Sequence, residues 1–183
     1  MNVIDSINNR RSIRKYTDEK ISKDTLKELI TLGTKAATAS NEQPWGFLIL
    51  DDKEEINRYS EEIKAYLSEH LEENPGLKRY AKWLPLPKFH VFNGTNTVLV
   101  IYGNSNSVWS VYDCTLAAGN IMLAAESMNI GTCWIGFAHS YFNTKEFKEA
   151  HNIPLDFNLV SPLSMGYKSE ELPSATRKEP LIF

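Results

Sequence analysis

Residues 10 to 14, Arg10-Arg11-Ser12-Ile13-Arg14, bring three guanidinium groups and a hydroxyl onto one short stretch. A guanidinium meets phosphate through parallel N–H donors, and a serine adds a short neutral one. Holding a phosphate monoester against water takes several such bonds, each contributing about 1.5–3 kcal/mol when charge-assisted. The same run also reads as a solvated basic patch. A second cluster is Ala39-Ser40-Asn41-Glu42-Gln43-Pro44-Trp45, a loop ahead of an apolar stretch. The Asn41 and Gln43 amides both donate and accept, as the edge of a heterocycle requires. Pro44 stiffens the loop and Trp45 offers an aromatic anchor, although plain turn chemistry uses the same residue types. The third cluster is Gly131-Thr132-Cys133-Trp134-Ile135-Gly136-Phe137. Gly136 lets a backbone approach a flat ligand or forms a strand bulge, and Gly131 stands where a helix C′ glycine would.

Other chemistry is less supported. His70, His90, His139 and His151 are scattered and lack the partner spacing of a catalytic triad. Cys114 and Cys133 match no metal spacing and read as reduced, buried thiols, and no metal site is expected.

The elements that must position these clusters follow from periodicity. Short helical turns are expected over 3–9 and a helix over 22–38, with Ser22 as N-cap and Leu26, Leu29, Ile30 and Gly33 on one face. Residues 46–51 read as a buried strand, 53–72 as a charged amphipathic helix stopped by Asn74-Pro75-Gly76, and 97–103 as a second buried strand. Residues 108–129 form a helix apolar all round, hence central. A short strand over 132–135, a helix over 143–150 and a long strand over 158–166 follow, with Pro162 marking a bulge or an edge. Residues 77–93 carry Tyr80, Trp83, Leu84, Leu86, Phe89, Val91 and Phe92 with neither helical nor strand period. They either plug a gap in the core or cap a pocket. The tail beyond Leu172 has no amphipathic pattern, so it is either disordered or packed on another surface. The helices and strands do not alternate in strict βαβ units, which predicts an α+β fold with a central mixed sheet flanked by helices.

Bulk properties narrow the function. With 183 residues the chain fits a single domain, residues 1–183, with room for a real core. A net charge of −3 without a basic face argues against bulk nucleic-acid binding. The first sixteen residues lack the apolar region of a secretory signal, and no apolar run approaches the ~20 residues of a membrane span. A cytoplasmic protein is expected, with no membrane partner.

Taken in order, the clusters resemble the nitroreductase family of flavoproteins. Arg10 to Tyr16 resembles the family's R-R-S-x-R-x-[YF] opening, and Ser40 to Trp45 its S-x-N-x-Q-P-W loop. GTCWIG resembles the turn after its long helix, and Asp113-Cys114 with Ala117-Ala118-x-Asn120 resembles the start of that helix. Met165-Gly166-Tyr167 and the Arg177-Lys178 pair resemble its late strand and C-terminal basic pair. The resemblance spans nearly the whole chain; the compact middle segment and short 152–158 region suggest a small member.

The resemblance implies a nitroreductase-like fold and a homodimer holding FMN at its interface, with the C-terminal tail packed on the partner. Arg10 and Ser12 would meet the phosphate and ribityl chain, joined by Arg177; Arg11 would do the same or face solvent. Arg14 would sit near the pyrimidine side of the isoalloxazine. Ser40, Asn41 and Gln43 would contact the flavin from the same or the neighbouring subunit, and the backbone of Trp134, Ile135, Gly136 and Phe137 would lie beside N5. The implied reaction passes hydride from NADH or NADPH through FMN to a small electron-poor acceptor such as a nitroaromatic, quinone or enone, with chemistry on the FMN rather than on a catalytic side chain. Trp83 and Phe89 would line the acceptor pocket. Alternatives are a specialised flavin dehydrogenase, a deiodinase-like or flavin-reducing enzyme, and a non-catalytic FMN-binding or storage protein. Without the resemblance, a phosphate- or nucleotide-binding domain built on Arg10–Arg14 comes next.

Overall fold

The computed structural model describes residues 1–73, 75–173 and 176–183. Four strands form one sheet: β1 (Trp45–Leu50), β2 (Thr97–Asn104), β3 (Ile130–Trp134) and β4 (Phe157–Tyr167), in the order β1-β2-β4-β3. All three pairings are antiparallel, which corrects the expected mixed sheet; parallel pairing is seen in the isolated bridge from Ser12 to Thr132. The α+β class and the flanking helices stand.

Strand side chains alternate between faces, and here both faces are covered. Val98, Val100 and Tyr102 of β2 join Ile56, Ile63 and Leu67 of α3 (Lys53–Glu69) and Phe142 and Phe147 of α5 (His139–Phe142) and α6 (Lys145–Ala150). Leu99 and Ile101 face the other way, onto Leu26 and Leu29 of α2 (Lys23–Gly33) and Cys114, Ala118, Ile121 and Ala125 of α4 (Ser110–Ser127). Helix α1 (Val3–Asn9) precedes these layers, with Asn2 and Asp5 closing a capping box.

Boundaries moved for local reasons. Ser22 caps α2 as expected, accepting from the Thr25 N–H, but the helix ends at Gly33 rather than at 38. Residues 34–38 carry no large apolar side chain with which to hold another turn against α4. Gly33 itself is a contact point: a Cβ there would lie 2.7 Å from the Ile121 side chain. Helix α3 ends at Glu69, and Asn74 of the expected stop lies outside the described residues. Residues 75–80 form a 3-10 turn. Pro162 lies in an interior strand, two residues from a register shift that leaves Val160 unpaired. Its carbonyl accepts from the Ile135 N–H at 2.8 Å, beyond the last β3 pair, so its missing donor faces the point where β3 leaves the sheet.

Candidate functional site

Residues 12–16 form a strap laid across β3 and β4. The Ile13 N–H donates to the Thr132 carbonyl at 3.0 Å, and Tyr16 bridges to Lys168. Gly131 and Gly166 are register partners beneath the strap. A Cβ on Gly131 would meet Ile13 at 2.6 Å, and one on Gly166 would meet Tyr16 at 2.8 Å. Gly131 is therefore not a helix cap. Asn129, at φ 60°, takes the left-handed position after α4. The Tyr16 hydroxyl donates to the Ile13 carbonyl at 2.7 Å and lies 2.9 Å from the Ser164 Oγ. Burial pushes that phenol's pKa upward, so it stays a neutral donor.

The strap sets the basic cluster at the open edge of β3. Arg14 is exposed and reaches only the Ser12 carbonyl, at 3.3 Å, and among the described residues no carboxylate pairs with Arg10 or Arg14. Burial raises the Cys133 thiol pKa, and the charges of Arg14 and Arg10 oppose that rise. Arg11 differs. Its guanidinium donates to the carbonyls of Asn8 (2.7 Å), Arg10 (2.8 Å) and Pro173 (3.2 Å), so it ties the strap to α1 and to the tail.

The 39–43 loop is strained and anchored from below. Ser40, Asn41 and Gln43 sit at φ 49°, 56° and 51°, a left-handed conformation that costs non-glycine residues energy. All three are exposed. Asp113, buried in the first turn of α4, accepts the Ala39 N–H on both carboxylate oxygens at 3.3 and 3.2 Å. Sequence reasoning placed Asp113 only as part of the helix start; a buried carboxylate holding a loop 74 residues away leaves no local signal.

In the 134–137 turn, Trp134 is 40% exposed, Ile135 is buried, and Gly136 opens onto space. The Ile135 N–H is committed to Pro162, so Gly136 and Phe137 hold the donors left at the start of a 3-10 turn. Next to Phe137 stand Tyr80 and Phe89, edge-on at 5.2 and 5.3 Å between ring centroids. Within the 77–93 segment, Leu84 and Val91 are core residues, whereas Trp83 is half exposed. Arg177 is exposed, as are Leu181, Ile182 and Phe183 beyond it.

These parts do not converge within one chain. The 39–43 loop feeds β1 and the strap borders β3, at opposite edges of the sheet and so roughly 14 Å apart across it. They also sit at opposite ends of the 18-residue α4, roughly 27 Å long. The strap and the 134–137 turn do come together, at β3.

Residues 7–167 match the nitroreductase family as a whole. The chain belongs to the nitroreductase family. A protein of Archaeoglobus fulgidus named as a candidate NADH dehydrogenase/NAD(P)H nitroreductase is 30% identical over 162 residues, 88% of this chain and 83% of that one. The iodotyrosine deiodinase of Thermotoga neapolitana is 25% identical over 94% of this chain and 92% of its own. The crystal structure of a nitroreductase with bound FMN from Bacteroides fragilis shares the fold, with a TM-score of 0.87 at 22% identity, covering 100% of this chain and 98% of that one. Among the described residues, no helix of this nitroreductase-family chain is long and apolar enough to cross a membrane.

Proposed function

We propose that this protein is an FMN-dependent oxidoreductase that passes hydride from NADH or NADPH to small electron-poor acceptors such as nitroaromatics, quinones or enones, and that it works as a homodimer. The observation that carries this reading is a pair of guanidiniums without a carboxylate partner among the described residues, Arg10 just ahead of the strap and Arg14 on it, where the strap meets β3 and the open 134–137 turn that follows. That donor set fits FMN: cations and the Ser12 hydroxyl for a phosphate, free N–H groups and an uncluttered glycine for a flat ring.

FMN, when bound, supplies the hydride chemistry itself. The residues bind and tune. Arg10 and Ser12 hold the phosphate end, joined by Arg177 from the tail. Arg11 is better assigned to tying strap to tail, because three carbonyls already occupy its guanidinium. Arg14 would hold the ring end, where a cation would favour a reduced, more negative cofactor over an oxidised one. A pair of unit charges at 4 Å gains about 4 kcal/mol at an effective dielectric near 20, and water around exposed Arg14 reduces that. The Gly136 and Phe137 N–H groups would be the donors offered to the ring, and Phe89 and Trp83 would line the acceptor's place.

Ser40, Asn41 and Gln43 complete the site from a second copy. A loop at the far edge of the sheet cannot reach its own strap, but a two-fold axis can bring it to the partner's strap. The exposed apolar residues support the same assembly. Val108 and Trp109 just ahead of α4, Val111, Tyr112 and Leu116 on it, and Leu181 to Phe183 in the tail are exposed among the described residues.

The test is an absorbance spectrum of the purified protein followed by anaerobic titration with NADH and NADPH. A yellow protein bleached by either donor and recoloured by a quinone is expected. A colourless protein that takes up no added FMN would refute the cofactor, and one that stays yellow under both donors would be a flavin store rather than a reductase.

A further inference from the structure

The segment between α3 and β2 is cationic as well as aromatic. Residues 75–92 carry Lys78, Arg79, Lys82 and Lys88 and no aspartate or glutamate, in a chain whose 23 acids outnumber its 20 lysines and arginines. Lys78 pairs with Glu72, and Arg79 lies over the Tyr80 ring, 4.7 Å from its centroid. Lys82 and Lys88 are exposed, and among the described residues neither has an ion-pair partner. Beneath the segment, Glu61 is taken by Lys64, which also donates to the Leu86 carbonyl.

Between these lysines in sequence stands Trp83, 51% exposed, its ring 5.3 Å from Tyr80 and 6.4 Å from Phe89. Tyr80 and Phe89 both rest on Phe137. An unbroken aromatic wall therefore runs from the 134–137 turn out to Trp83, and the charges borne by its outer segment are all positive.

We propose that this wall selects acceptors that are both flat and anionic: nitroarenes or quinones bearing a carboxylate or sulfonate, with the ring on the wall and the anion met by Lys82 and Lys88. The inference rests on the reductase reading above and adds the substrate's charge to it. Stacking on the wall would hold neutral and anionic rings alike, so discrimination falls to the lysines. A lysine is a mobile point charge rather than a fixed fork, which suits a class of anions more than one ligand. Unpaired cations of one sign also raise the local concentration of anions and speed their arrival.

The flavin-loaded protein and its Lys82→Gln/Lys88→Gln variant would be compared with 4-nitrobenzoate and 4-nitrobenzamide, nearly the same size and differing in charge. The variant is expected to raise KM for the benzoate about three- to ten-fold and leave the benzamide unchanged, and added salt should erode the wild-type preference for benzoate. Dissociation constants from tryptophan quenching, with Trp83→Phe as the control, need no turnover. A protein that binds benzoate preferentially yet passes no hydride would sink the reductase reading and keep this one. Equal wild-type affinity for the two probes would overturn the proposal. So would a variant whose KM rises for NADPH over NADH but not for the benzoate, since the lysines would then read the donor's phosphate.

Discussion

Ile13 occupies the space in which any side chain at Gly131 would have to stand. A Cβ on Gly131 would lie 2.6 Å from the Ile13 Cβ and 2.7 Å from both of its γ carbons. Ile13 is itself 2% exposed, and its N–H is bonded to Thr132, so it has nowhere to move. This contact seats the strap, and the strap carries Ser12 and Arg14.

Gly131→Ala should therefore lift the strap. We expect a loss of about 1–3 kcal/mol, the range for overpacking a closed contact, with weaker FMN retention. Gly131→Ala should cost less in an Ile13→Gly background, where the Cβ that would stand 2.6 Å away is gone, because the two positions share one space. Thermal melts and flavin content check both effects. A Gly131→Ala protein as stable and as yellow as wild type would show that the strap is not set by this contact.

Arg10→Ala and Arg14→Ala should differ. Loss of Arg10 is expected to weaken FMN binding about ten-fold or more, in line with about 1.5–3 kcal/mol for a charged hydrogen bond. Loss of Arg14 should lower the flavin midpoint potential and slow reduction while sparing affinity. Binding titrations and spectroelectrochemistry separate the two; negligible effects from both variants would reject the site.

If the site is shared across a dimer, mixing two impaired proteins should restore part of the lost activity. Subunits carrying Arg14→Ala and subunits carrying Asn41→Ala/Gln43→Ala, exchanged at random, would leave about one quarter of the sites intact when the contacts come from opposite subunits. No recovery after verified subunit exchange would mean that each subunit serves its own flavin.

Asp113→Ala removes the acceptor of the Ala39 N–H. The 39–43 loop should relax from its left-handed conformation, costing about 1–3 kcal/mol of stability for the unsatisfied group and raising acceptor KM through misplaced Asn41 and Gln43. Asp113→Asn, which keeps one oxygen, should fall between. Hydrogen exchange at Ala39 reports the loop directly, and wild-type protection there in Asp113→Ala would contradict the anchoring role.

A pH dependence follows from His90. Its Nδ1 accepts the Phe92 N–H at 3.0 Å, which leaves Nε2–H to donate to the Asn57 Oδ1 at 3.0 Å. Burial depresses its pKa below the ordinary 6.5, with Lys64 and Lys53 acting in the same sense and Glu61 opposing. As pH falls through 6.5 the unfolded chain takes the proton first, so stability is lost downward from that point and levels off below the folded-state value. His151, depressed chiefly by burial as well, adds to the same slope. His90→Asn keeps an acceptor without titrating, so its stability should depend less steeply on pH between about 6.5 and 5. Denaturant midpoints across that range are the measurement; identical slopes would remove His90 from the account.

Whatever depends on neighbours in the chain could be read from the sequence. Ser22 caps α2 because its hydroxyl needs only the N–H of Thr25, and β2 is a strand buried on both faces because its apolar run says so. The ordered set of motifs from Arg10 to Gly166 was enough to point to the family. What the tertiary structure decided was every relation across the sheet. Gly131 looks like a helix cap until Ile13, 118 positions earlier in the chain, is seen lying on it. Arg11 is indistinguishable from Arg10 until Asn8 and Pro173 claim its donors. Asp113 and the 39–43 loop acquire roles only from what stands opposite them. The separation of the loop from the strap depends on the strand order β1-β2-β4-β3, which long-range pairing fixes and local propensity does not encode.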